Sequence, residues 1–424
     1  MIMKRILLHS MLSLLVLNSL QAQQRSSNEL SELVKASFVY SPKLAEARNA
    51  ELLAADKLRL VELNARPDFN ADMTYAYVMP KIEWPINGQK VQFAPVNSLN
   101  GFVSGSYVLA DFGRQKAALD RARNEQLSQQ HTREVSELGI AYQVAQLYYQ
   151  LLYTRKSIAI QDTLIHVLKE SLRVAENQFQ NGTALEIDVL SIRSTILNEE
   201  SRKTEFVSLL HKQEIMMQYA TGKSVSEGGE MRWVSPLVSA TSDTINPTIK
   251  LQIDKLQQSK LEVAAAQLKT RPLVSLRGTM GTRNGYLPLV NDLRFNYQAG
   301  VGLSVPLYTG GKIQQQIQIQ KRLATQQQLA LSTLKKDLER DLNMAEEELR
   351  ASREKEARLP SQVLLAEKVV EVARSKYRNG TGLYLEVITA GSALQKAYLN
   401  QLQAQYQVCL AQLEIARLKG TKFW

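Results

Sequence analysis

Apolar residues recur every seven positions along two long stretches of this chain. In the first, Val144, Leu151, Ile158, Ile165, Leu172 and Phe179 form one row, and Ile140, Leu147, Thr154, Gln161, Leu168 and Ala175 form a second. In the other, Leu342, Leu349, Glu356, Val363, Val370 and Tyr377 run beside Leu338, Ala345, Ser352, Leu359, Ala366 and Ala373. No proline falls between Gly113 and Phe179, and only Pro360 between Gly311 and Tyr377. Each stretch predicts one helix of about 67 residues, roughly 100 Å at the usual rise per residue. A strict seven-residue period forces a left-handed supercoil. Helices this long do not belong to an ordinary compact core.

Before each long helix the period changes to two. Tyr297, Ala299, Val301, Leu303, Val305 and Leu307 alternate with Gln298, Gly300, Gly302 and Ser304, and Val103, Tyr107 and Leu109 oppose Ser104 and Ser106. Leading strands show the same alternation. Phe69, Ala71, Met73, Tyr75 and Tyr77 oppose Asn70, Asp72 and Thr74; Val274, Leu276 and Met280 oppose Ser275, Arg277 and Thr279. Strands near ten residues suit a tilted membrane crossing, and a soluble half-buried sheet fits the same alternation. Long proline-bearing connections join the strands of each pair, from Met79 to Asn100 and from Thr282 to Leu293.

Shorter helices complete the pattern. Ser41-Pro42 and Asn246-Pro247 open helices of about 25 residues, with a capping residue before a proline that needs no donor. Pro67 and Pro272 end them. The triplets Asn181-Gly182-Thr183 and Asn379-Gly380-Thr381 close the long helices, with glycine supplying the positive φ of a helix end. Return helices of about 36 residues follow, to Ala220 and Leu418. Because two shorter helices nearly equal one long one, a long helix can lie beside two short ones placed end to end.

All of this occurs twice. The segment 107–114 returns 198 residues later at 305–312, and 179–189 returns at the same offset at 377–387. The opening helix returns at an offset of 205, so the register changes once, by seven residues, inside the first long connection. Gly113 and Gly310-Gly311 mark the two strand-to-helix junctions. The expected organisation is a leader over 1–22, a first strand-pair and helical-hairpin repeat over 23–222, an equatorial linker over 223–245, and a second repeat over 246–424.

Composition narrows the class. Lys4 and Arg5, the apolar run Ile6–Leu17 and Leu20-Gln-Ala22 read as a cleaved secretory signal. Past it no apolar run reaches the roughly 20 residues of a spanning helix, so any membrane crossing must be made by strands. Cys409 is the single cysteine, which excludes an internal disulfide and a thiolate zinc site. The net charge of +11 falls to +9 when Lys4 and Arg5 leave, and basic and acidic residues are interspersed, the pattern of solvated faces rather than of a nucleic-acid patch. The four histidines are scattered, and Gly310-Gly311-Lys312 lacks the first glycine and the Ser/Thr of a phosphate loop. No constellation points to an enzyme, a metal or a cofactor.

Four strands leave two open edges that cannot persist in lipid, closed barrels begin near eight strands, and homo-oligomers favour cyclic symmetry. Pro306-Leu-Tyr-Thr-Gly-Gly-Lys312 and the paired hairpins Phe179–Val189 and Tyr377–Val387 resemble the outer membrane efflux protein family, the TolC-like channels, over essentially the whole mature chain. The resemblance implies a mainly α fold with a transmembrane β-barrel: a long α-helical coiled-coil tunnel plus four strands per chain, an internal two-fold repeat, and twelve strands in a homotrimer. It implies a passive exit duct of the outer membrane, reaching into the periplasm, for tripartite efflux or type I secretion. The implied partners are a periplasmic adaptor (membrane fusion) protein, an inner-membrane pump and outer membrane lipid, with no nucleic acid. Asp188 and Glu386 match the family's acidic periplasmic gate, with Glu where Asp is usual. Both also sit in the first turn of a return helix, where negative charge is favoured in any case. A periplasmic coiled-coil adaptor is the competing reading, although it calls for one hairpin rather than two.

Overall fold

The computed structural model describes residues 29–86, 89–224, 245–379 and 381–424. The expected leader, nearly all of the expected linker, and Gly380 lie outside the described residues. Helix α1 covers 29–40 and α2 Pro42–Leu63. Strands β1 (Asp68–Tyr77), β2 (Glu83–Ile86), β3 (Gln89–Gln92) and β4 (Asn97–Ala110) lead into α3 (Arg114–Gln180) and α4 (Glu186–Thr221). Then come α5 (Pro247–Leu268), β5 (Leu273–Arg283), β6 (Arg294–Ser304), α6 (Lys312–Arg378) and α7 (Tyr384–Lys419). The helices of the second half match those of the first residue for residue: 22 in α2 and α5, 67 in α3 and α6, 36 in α4 and α7. Helix α6 continues through Pro360.

Several boundaries differ from the sequence reading. Helices α2 and α5 stop three residues early, because the approach to Pro67 and Pro272 tightens into a turn. Arg66 and Arg271 there donate to the carbonyls of Leu63 and Leu268, three residues back. Strand β6 ends at Ser304, leaving Val305 and Leu307 outside it, since Pro306 has no N–H to give a ladder. The connection expected over 79–100 contains the hairpin β2–β3, and α1 was not foreseen.

The chain divides into two units. One takes the described residues of Met1–Arg48, Thr132–Lys250 and Thr333–Trp424, and is helical. Its main core packs Leu30, Leu33 and Val34 of α1 against Tyr148, Leu151 and Leu152 of α3, Met217 of α4 and Leu413 of α7. Trp424 seals this core edge-on against Phe38, at 5.6 Å between ring centroids. Within the unit Gln161 is almost fully buried and donates to the Glu199 carbonyl at 2.9 Å, while Gln395 donates to Gln161 Oε1 at 2.6 Å. The two polar places in the second apolar row, Thr154 and Gln161, are thus buried and bonded rather than solvated.

The other unit, Asn49–His131 and Leu251–Ser332, holds the sheet. Strand order is β1-β4-β5-β6, all antiparallel, so the two copies join where β4 pairs with β5, and among the described residues β1 and β6 are free edges. Beside it α3 meets α5 through polar contacts. Arg121 bonds Glu262 at 3.0 Å, Asn124 donates to the Asp254 carbonyl at 3.0 Å, and His131 Nδ1 lies 2.5 Å from Asp254 Oδ2.

Candidate functional site: a two-faced sheet and two hairpin tips

Directly paired residues of neighbouring strands share a face. The register therefore sorts the sheet into two surfaces. Phe69, Ala71, Met73 and Tyr75 of β1 stand beside Val103 and Leu99 of β4, then Leu276 and Met280 of β5, then Tyr297, Val301 and Leu303 of β6. The opposite surface carries Asn70, Asp72 and Thr74, then Ser104 and Ser106, then Ser275, Arg277 and Thr279, then Asn296, Gln298 and Ser304. Phe102 is the main apolar exception there. The apolar surface is uncovered: Met73 and Tyr297 are each 79 % exposed. Its aromatic residues are Phe69, Tyr75 and Tyr77 of β1, Tyr107 of β4, and Phe295 and Tyr297 of β6. No helix among the described residues is long and apolar enough to cross a membrane.

At the helical end of the sheet, the junction glycines all hold positive φ, +100° at Gly113, +58° at Gly310 and +76° at Gly311. The residues that fix the first junction lie beside Gly113 and were not singled out by sequence. Asp111 accepts from the Gly113 N–H at 3.0 Å and from Gln115 N–H. Arg114 donates to the carbonyls of Leu268 and Arg271, at 3.3 and 2.6 Å, at the end of α5. A cation thereby meets carbonyls that no further helical turn can satisfy.

The tips belong to the helical unit. After α3, Gly182 adopts φ +72° and donates to the Phe179 carbonyl at 2.9 Å, while Thr183 N–H reaches the Gln178 carbonyl at 2.9 Å. These two bonds form a Schellman end. Asn181 donates to Asn177, and the Thr183 hydroxyl also bonds the Gln178 carbonyl. The second tip repeats this where it is described: Asn379 N–H donates to Ser375 and Thr381 N–H to Lys376.

The two acidic candidates occupy equivalent helical positions in unlike surroundings. Asp188 is half-buried and close enough to Tyr377 and Tyr384 of the second hairpin to help raise both phenols above their ordinary values, burial being the larger cause for each. Glu386 is exposed and shares an open hollow with Lys368, Lys376, Val369 and Leu385. Neither carboxylate makes an ion pair among the described residues. Tyr377 donates to Gln178 Oε1 at 2.7 Å, a bond between the hairpins that sequence reasoning missed because Tyr377 reads simply as the last member of an apolar row.

Comparison with known proteins settles the family. The model of the outer membrane efflux protein family matches residues 39–223 and 244–421. The chain belongs to that family. This efflux protein has the TolC-like fold, and it is an efflux channel of the outer membrane rather than an adaptor. Among solved structures it is similar to the outer membrane protein VceC of Vibrio cholerae, at 17% identity and a TM-score of 0.78, over 95% of this chain and 98% of that one. It is also similar to the Campylobacter jejuni CmeC outer membrane channel, at 16% identity and TM-score 0.77, over 92% and 85% of the two chains. The open-state MtrE outer membrane channel of Neisseria gonorrhoeae aligns at 14% identity and TM-score 0.73, over 92% and 89%. No curated protein matches the efflux protein by sequence.

Proposed function

We propose that three copies of this efflux protein close their free edges, β6 of one chain on β1 of the next, into a twelve-stranded barrel around a water-filled lumen. The observation that carries the reading is the sheet itself: four strands in register, apolar on one surface and polar on the other, with both edges unpaired. Open edges are untenable in lipid, and closure by identical copies removes them. The apolar surface then faces lipid, and solute passes along the polar one. The duct is passive, so the driving energy comes from an inner-membrane pump reached through a periplasmic adaptor, in tripartite efflux or type I secretion. The helical hairpins extend into the periplasm, and the tips form the gate, with Glu386 the exposed carboxylate that three-fold symmetry gathers into a ring. The mass of the detergent-solubilised protein and its single-channel conductance in planar bilayers test this. Three chains per particle with discrete conductance steps support it, and a monodisperse single chain without conductance sinks it. Glu386→Gln tests the ring separately, with weaker block by divalent cations as the expected result.

A further inference from the structure

At the loop end of the sheet, two arginines stand directly opposite each other. Arg283 closes β5 and Arg294 opens β6, and the register pairs them. Both lie on the polar surface, on the same parity as Arg277, Thr279, Asn296 and Gln298. Like charges facing each other across a strand pair destabilise a sheet, so the arrangement is costly unless something compensates it. Among the described residues no carboxylate pairs with either one. Asp292, two residues before Arg294, makes no ion pair, and Asp72 stands on β1 with β4 between it and these strands. The Arg283 guanidinium instead rests 4.8 Å from the Tyr286 ring centroid.

The backbone beneath the pair is fixed. Asn284 is buried, donates from Nδ2 to the Asn97 carbonyl at 2.6 Å and accepts from Leu99 N–H at 2.9 Å, pinning the end of β5 to β4. Gly285 N–H donates to the Val290 carbonyl at 2.7 Å and closes the following loop. Two guanidiniums therefore project from adjacent strands on a rigid base, with donor capacity that no carboxylate among the described residues uses up. Forked donors of this kind match carboxylate and phosphate oxygens.

The geometry points to an oxyanion-binding site at the loop end of the polar sheet surface, formed by Arg283 and Arg294, that favours passage of solutes bearing carboxylate or phosphate groups. The inference rests on the reading of that surface as the lumen. Closed threefold, the barrel repeats the pair three times around its mouth.

Planar bilayers of an uncharged monoglyceride, which carries no phosphate and so removes the lipid headgroup as the source of the oxyanion, provide the test. The full mature protein is compared with Arg283→Gln/Arg294→Gln and with Arg283→Lys/Arg294→Lys at low ionic strength, where charge is least screened. Reversal potential in a KCl gradient is read first, then block by tripolyphosphate added on the loop side. The expected result is a shift towards cation selectivity and at least about tenfold weaker block in the glutamine variant, the loss of one charged hydrogen bond or more. The lysine variant is expected to keep the selectivity and lose part of the block. Its assembly into channels guards against a glutamine variant that fails to insert, because full tripolyphosphate block in the lysine variant would by itself overturn a site built on forked guanidiniums. Unchanged selectivity and block in the glutamine variant overturn the inference while leaving the channel reading intact. Absence of conductance in the unaltered protein overturns both.

Discussion

The two hairpins of the helical unit share helix lengths, turn sequences and capping, yet they bury different members. Of the long helices, α3 of the first copy lies deeper: Leu151 is fully buried, whereas its counterpart 198 residues on, Leu349, is half-buried beside Ala345, Ile415 and Leu418. Of the return helices the order reverses. Helix α4 buries six residues and α7 fourteen. In each hairpin one helix thus buries more than its partner, α3 more than α4 and α7 more than α6, although α4 and α6 still supply Met217, Ile192 and Val370 to the cores. Those two helices also hold uncovered apolar residues, Ile187, Leu190, Leu197 and Ile215 on α4 and Leu365, Val369 and Val372 on α6. Duplication supplies two equal backbones, and a handful of side chains decides which helix turns inward.

The sharpest way to break the comparison is to truncate equivalent positions. Leu151→Ala empties a closed site and is expected to cost about 2–5 kcal/mol. Leu349→Ala removes a side chain that keeps part of its exposure, and is expected to cost about 1 kcal/mol. Denaturant midpoints of the detergent-solubilised protein measure both. Equal losses would mean that the assembly covers α6 as fully as the chain itself covers α3.

A second contrast concerns the caps of the return helices, Gly222 and Gly420, each at φ +69°. An alanine at either position incurs about 1–2 kcal/mol of left-handed strain. What its Cβ meets then differs. At 222 it approaches the ring of Tyr40, a side chain 56 % exposed, at 2.7 Å. At 420 it approaches the Asn246 Cα at 2.8 Å, where Asn246 caps α5 by accepting from Thr248 N–H and donating to the Leu418 carbonyl. Backbone cannot move aside as a side chain can. Gly420→Ala is therefore expected to lower the thermal midpoint clearly more than Gly222→Ala, and equal shifts would show that the 245–247 segment yields.

How much of this was legible in the sequence follows from what each signal reports. A seven-residue row reports which face of a helix is apolar, and it located α3, α6 and their ends to within a residue or two. The row cannot report which neighbour will cover that face, so the inward choice of α3 and α7 was invisible. Thr154 and Gln161 were visible as interruptions, but their burial depends on Gln395 and Glu199, residues that only the fold brings close. Alternation located the four main strands, and their register placed the apolar parities on one surface, which alternation alone could not. Helix α1 had a readable spacing in Leu30, Leu33 and Val34, overlooked beside the leader. Asp188 and Glu386 are singled out in the sequence by position alone, while their unlike surroundings depend on Tyr377 and Tyr384.

Tyr377 offers a smaller test of the same contrast, because its counterpart in the first copy is Phe179. The second copy thus carries a hydroxyl that the first lacks, and it is this hydroxyl that bonds Gln178 across the hairpins. Tyr377→Phe makes the copies alike at the tip. It is expected to remove about 0.5–1.5 kcal/mol of contact between the hairpins, the net worth of one hydrogen bond. Open probability in planar bilayers is the readout, with a rise expected if the tips gate the channel as proposed, and an unchanged value would remove this bond from the proposed gate.

The smallest expected effect lies at Glu414, where the first copy has Met216. Arg417 donates to Glu414 at 3.0 Å and 2.5 Å and lies 5.4 Å from the Tyr142 ring. These hydrogen bonds, with the Arg417 charge, hold the Glu414 carboxyl below its ordinary value of 4.5 although burial opposes them. Burial chiefly, and then Glu414, push the Tyr142 phenol up to about 12. A carboxyl that titrates lower in the folded than in the unfolded chain stabilises the fold above the unfolded value, and this contribution is lost as pH falls through the folded one. The ion pair is partly exposed, so solvent screening limits its worth to less than about 1 kcal/mol. Glu414→Gln is therefore expected to be less stable than the unaltered protein at pH 7, with the gap closing below pH 4.5 as the carboxylate of the unaltered protein also becomes neutral. Met216→Gln, the same change of residue in the first copy, alters a position 59 % exposed and leaves the acid limb of the stability profile in place. A gap that persists unchanged at low pH would show that Glu414 acts through packing rather than through its charge.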